Sequence, residues 1–130
     1  MIILQPPAWP RPKGYANGIM ASGKMIFIAG VIGWDEKEQF QNEDIVDQFR
    51  QCLFNILAIL KEAGAGPQHM VRMTWYVKNI DEYRSRLGEI GSVYKELIGK
   101  NFPVMSCVGV TGLVEEKAQL EIEVTAVLPD

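Results

Sequence analysis

Hydrophobic and polar positions alternate with period two along residues 118–127. Leu120, Ile122, Val124 and Ala126 fall on one side; Glu121, Glu123 and Thr125 fall on the other. Successive side chains of a strand face opposite sides of a sheet, so this segment reads as a half-buried strand with two carboxylates on its second face. A second apolar strand, about 104–110, precedes it, opened by Pro103 and carrying Met105, Ser106 and Cys107. The period becomes helical between Asp44 and Ala63, where Val46, Phe49, Leu53, Ile56, Leu57 and Leu60 share one face. Asn42 or Asp44 can cap that helix, and Gly64, Gly66 and Pro67 stop it. A second stripe, Tyr83, Leu87, Ile90, Tyr94 and Leu97, predicts a helix from Asn79 or Asp81 to about Ile98, ended by Gly99. Residues 70–77, rich in β-branched and aromatic side chains, predict a strand between the helices. Residues 18–21 and 24–29 read as a hairpin about Ser22-Gly23, with Gly30 and Gly33 ending its second strand and a polar loop over 35–43. Residues 1–14 are proline-rich and predict an extended surface run.

The resulting order, β-β-α-β-α-β-β, predicts an α+β domain with both helices on one face of a sheet. A length of 130 residues fits a single domain, 1–130, with one core. The other sheet face mixes apolar and acidic groups, which points to burial against further subunits with clefts between them.

Composition narrows the function classes. Hydrophobic residues make up 48% and charged residues 22%, the balance of a globular chain rather than a disordered one. A net charge of −3 leaves no electrostatic footprint for nucleic acid and no polybasic membrane signal. No apolar run approaches the roughly 20 residues that span a bilayer. The N-terminal MIILQPPAWPRPKG lacks the basic start of a secretory signal, so the reading places the chain in the cytoplasm. Two cysteines, Cys52 and Cys107, and one histidine, His69, cannot furnish a disulfide framework or a four-ligand zinc site. His69 follows AGAGPQ and reads as a loop or strand-edge residue rather than a catalytic base.

Several pieces, in this order and spacing, resemble the reactive-intermediate deaminase family, Rid, also called YjgF-like. They are GYANGI, the strand MIFIAG with its following glycine loop, the helix QFRQCLFNILAILKEAG, the strand VRMTWYVKNIDEY, the Tyr94 helix, and FPVMSCVGV…LEIEVTAV. The resemblance covers nearly the whole chain, from Gly14 to Val127. It implies a chorismate-mutase-like fold, a homotrimer, and three sites in clefts between subunits. It implies hydrolysis of small enamines and imines to ketones and ammonia, with no metal or organic cofactor. In family members an arginine on the penultimate strand forks onto the substrate carboxylate, the planar role that suits guanidinium. A glutamate on the last strand holds and activates water.

Carried over by position, Glu121 stands at that glutamate and is the candidate catalytic residue. Tyr15, Ala29, Gly91, Met105, Ser106 and Cys107 stand at the substrate-binding positions. Three depart from the family pattern: Met105 replaces the arginine, Ala29 a serine, and Gly91 an asparagine. The water-activating side is thus kept while the carboxylate-reading side is lost. That predicts a substrate other than the usual 2-aminoacrylate type, or a non-catalytic trimer that binds a small metabolite in the same cleft. Arg72 and Arg50 are the cations considered as substitutes for the missing guanidinium, although each also reads as a surface charge. Cys107 reads as a small structural hydrophobe rather than a nucleophile. Trp34 and Trp75 read as core or interface aromatics.

Overall fold

The computed structural model describes residues 1–130. Its elements are β1 (Ile2–Leu4), β2 (Gly18–Met20), β3 (Lys24–Ile32), α1 (Ile45–Glu62), β4 (Met70–Val77), α2 (Ile80–Ser85), α3 (Leu87–Leu97), β5 (Val104–Gly109) and β6 (Leu120–Leu128). The main sheet runs β3-β6-β4-β5, with β4 and β5 parallel and the other pairs antiparallel. The alternation along β6 works as anticipated: Leu120, Ile122, Val124 and Ala126 are all buried. They pack with Met73, Trp75 and Val77 of β4 beneath Phe49, Leu53 and Ile56 of α1 and Ile90 and Val93 of α3. The helices therefore cover one face of the sheet, as the α+β reading requires. No helix is long and apolar enough to cross a membrane.

The N-terminal half departs from the expected pattern. Residues 18–20 do not form a hairpin with the strand that follows. They pair instead with Ile2–Leu4, within the run expected to lie extended on the surface, while β3 pairs with β6. The three-residue link Ala21-Ser22-Gly23 only joins the strands; their partners are set by packing across the whole chain. Nor does Gly30 end β3. The strand continues to Ile32 through a bulge between Ile28 and Val31, where the absence of a side chain on Gly30 leaves room for a neighbour.

The second helix is broken at Arg86, whose φ of −115° and ψ of 17° are not helical. Its guanidinium bonds both oxygens of Asp44, at 2.8 and 3.3 Å, and both oxygens of Glu89, at 2.7 and 2.9 Å. Asp44 is also the α1 cap, accepting from the Val46 and Asp47 amides at 3.1 and 3.3 Å. The Arg86 bond is the main reason its carboxyl lies below the usual carboxylate range.

Asp44→Ala should cost about 1–2 kcal/mol through the lost cap. A lowered folded-state pKa stabilises above the unfolded value and is lost as pH falls through the folded one. The gap in urea midpoint between wild type and variant should therefore hold at neutral pH and close only below about pH 4. A gap that persists unchanged at strongly acid pH contradicts this role.

Candidate functional site

β6 and β3 position Glu121. It pairs with Ile32 across one ladder and with Tyr76 across the other. Its side chain is half-buried on the sheet face away from the helices. It makes no hydrogen bond or ion pair within the chain, although its neighbour Glu123 accepts from the Tyr76 hydroxyl at 2.6 Å. A Cβ at Gly30 would lie 2.6 Å from the Glu121 carboxyl carbon. The bulge in β3 is thus what lets the carboxylate lie against the backbone, with Ala29, exposed, next to it. Burial and then the Glu121 charge push the Cys52 thiol up.

The other site positions gather around β5. Its register sets Met73 beside Met105, Thr74 beside Ser106 and Trp75 beside Cys107. Met105 and Cys107 therefore face the helices and pack on the core, while Ser106 is exposed on the far face. The N-terminal arm docks here: the Ala16 amide bonds the Pro103 carbonyl at 3.1 Å, and Ala16 bridges Val104. That brings Tyr15, Ser106 and Arg72 to one small hollow of about 200 Å³. On the helix side, Met105 and Gly91 line a cavity of about 620 Å³ between α3, β5 and the arm.

Within one chain, then, the seven candidate positions form two groups rather than one. Ala29 and Glu121 lie at the β3 end of the sheet. Tyr15, Gly91, Met105, Ser106 and Cys107 lie at the β5 end. β4 separates β5 from β6, and Met105 and Glu121 look to opposite faces, so the two do not share a cavity in the protomer.

Other sequence expectations sort cleanly. Arg50, one of the two cations considered as substitutes, pairs with Glu96 and is not free. Arg72 makes no ion pair and borders the Tyr15–Ser106 hollow. His69 is a local cap, its Nδ1 accepting from the Gly66 amide at 3.0 Å. Burial pushes the Cys107 thiol up, partly offset by a bond with the Tyr83 hydroxyl, which fits a packed thiol better than a nucleophile. No group of three or more His, Cys, Asp and Glu side chains is placed to hold a metal ion. Trp75 is a core aromatic, 4.9 Å from Phe49 between ring centres, but it also lines the large cavity. Leu87, expected on the buried stripe, is 52% exposed at that cavity.

Two features carried no local signal. One is Gln48, fully buried, which donates to the Asn42 and Lys117 carbonyls at 3.0 Å each and accepts from the Gln119 amide at 2.8 Å. The other is the convergence of Arg11, Lys13, Lys95 and Lys100 on the large cavity. The two pairs are more than eighty residues apart in the chain, so only the fold reveals them together.

Comparison with known proteins covers the same ground. The profile of the family described as Endoribonuclease L-PSP matches residues 9–128. A RutC family protein of Pyrococcus horikoshii is 34% identical over 118 residues, covering 90% of each chain. A 2-iminobutanoate/2-iminopropanoate deaminase of Dermatophagoides farinae is 27% identical over 127 residues, covering 97% of this chain and 95% of its own. Among solved structures, the Rid family protein YyfB of Yersinia pestis superposes with a TM-score of 0.86 at 28% identity, covering 98% of both chains.

Proposed function

Since the chain belongs to the Rid/YjgF family, we propose that it is a hydrolytic deaminase of small reactive enamines and imines, acting at clefts between the subunits of a homotrimer. The observation that carries this reading is Glu121: a half-buried carboxylate with no partner of its own, seated against a bulge where Gly30 makes room for it. Such a group can take a proton from water as it attacks the imine carbon, then return it to the departing nitrogen. The balance is imine plus water to ketone plus ammonia, with no metal and no organic cofactor in the reading.

The sheet order supports a shared cleft. Ala29 and Glu121 lie toward one edge strand, and Met105, Ser106 and Cys107 on the other. Head-to-tail association around a threefold axis sets unlike edges of neighbouring subunits against each other. The sheet face away from the helices also exposes Phe27 at 72% and Val108 at 44%, apolar area that such packing covers. Sedimentation at micromolar concentration tests this first; a stable monomer removes the shared cleft.

Without the guanidinium at position 105, hydrolysis of 2-aminoacrylate-type acids should be weak. Met105→Arg should tighten binding of pyruvate by about tenfold or more, since a charge-assisted bond to carboxylate contributes about 1.5–3 kcal/mol. Met105→Lys, which cannot fork, should not. Calorimetry on the trimeric variants decides.

A second reading, in which the cleft binds a small metabolite without turning it over, is favoured by that same loss of arginine. Ammonia release from imines generated in place by an amino-acid oxidase separates the two. Acceleration over buffer supports the deaminase; binding of the matching 2-oxo acid with no acceleration supports the non-catalytic trimer.

A further inference from the structure

The cavity of about 620 Å³ beneath Met105 differs in character from the rest of this acidic protein. Arg11 and Lys13 reach it from the N-terminal arm, Lys95 and Lys100 from the end of α3, and no carboxylate lines it. None of the four makes an ion pair or a side-chain hydrogen bond, so all four charges are free to face the opening. Two lysines near a helix C-terminus complement the helix dipole. That does not account for Arg11 and Lys13, which belong to an irregular arm and converge on the same opening.

The walls are apolar and aromatic. Leu87 and Phe102 stay 52% and 40% exposed there, and Trp75 forms part of the lining. The Trp75 Nε1 is also the one buried side-chain polar atom in the protein without a hydrogen-bond partner. Unpaired cations around an apolar concavity focus a positive potential on whatever enters.

We propose that this cavity takes a bulky organic anion: a 2-oxo or 2-imino acid whose side chain is aromatic or large and branched. The carboxylate meets the basic rim, and the side chain covers the apolar walls. The rim thereby replaces, with several exposed charges, the single guanidinium absent at position 105. The proposal rests on the reading of Met105 and Gly91 as substrate-binding positions, and it names the substrate class that reading leaves open.

Tryptophan fluorescence and calorimetry at low salt, with phenylpyruvate, pyruvate and the uncharged ketone benzylacetone as probes, test it on the full-length protein. Phenylpyruvate should bind about tenfold or more tighter than pyruvate, as burying a ring requires, and tighter than benzylacetone. Lys95→Gln/Lys100→Gln, at exposed positions that leave the core intact, should weaken phenylpyruvate binding about fivefold and flatten its salt dependence. Equal affinity for phenylpyruvate and pyruvate overturns the proposal, and so does an unchanged affinity in the double variant. Binding in the expected pattern with no ammonia release sinks the deaminase reading alone. Hydrolysis of small imines that depends on Glu121, without phenylpyruvate binding, sinks this proposal alone.

Discussion

Glu121→Gln should lower the rate of imine hydrolysis by about 10²–10⁴ while leaving 2-oxo acid binding nearly unchanged. That range is what a positioned general acid–base group contributes, about 3–5 kcal/mol of barrier. The amide keeps the size and much of the polarity of the carboxylate but cannot take a proton from water. The Glu121 side chain makes no hydrogen bond or ion pair within the chain, so the change breaks none, and the urea midpoint should hardly move. Gly30→Ala is the companion variant. Its new methyl would overlap the Glu121 carboxyl, which is the far end of a flexible side chain and can swing aside. It should therefore reduce turnover through misplacement of the carboxylate while the protein stays folded. Full activity in Glu121→Gln removes the residue from the chemistry.

Gln48→Met should have the largest effect on stability, about 2–4 kcal/mol at fixed protein concentration. The substitution keeps shape and volume but removes two donated bonds and one accepted bond at a fully buried position. It removes the partner of the Asn42 and Lys117 carbonyls, on exposed residues, and of the half-buried Gln119 amide, and each lost bond costs about 0.5–1.5 kcal/mol, partly offset by the apolar replacement. Gln48 ties the first turn of α1 to the segment that leads into β6, two residues before Glu121. Loosening it should consequently impair turnover as well as lower the urea midpoint. A midpoint within the spread of surface substitutions shows that water or a shifted loop satisfies those groups instead.

The legible parts of this fold were those where periodicity and burial agree. The β6 alternation, the α1 stripe and the 70–77 strand are each set by which side chains must leave water, and each appears with nearly the expected bounds. The break at Arg86 was not legible because its cause is tertiary: a guanidinium held by an aspartate forty-two residues away. The pairing of β2 with β1 and the bulge at Gly30 are likewise choices among partners that a local pattern does not rank. The candidate site divides the same way. Position along the family motif singled out Glu121 and Met105 individually. Their separation across the sheet came from strand order, and the four cations of the cavity came from the docking of the arm on β5.

The most direct measurement is activity in mixed trimers. Glu121→Gln disables the carboxylate half of the proposed cleft, and Met105→Trp fills the β5 half. Each variant alone should form inactive trimers. Unfolding and refolding the two together should restore ammonia release that neither parent has, because some clefts then combine an intact Glu121 from one subunit with an intact Met105 from the next. If mixed trimers form, as tagged subunits co-purifying shows, and no activity returns, the site is not shared between subunits and the account is wrong at its centre.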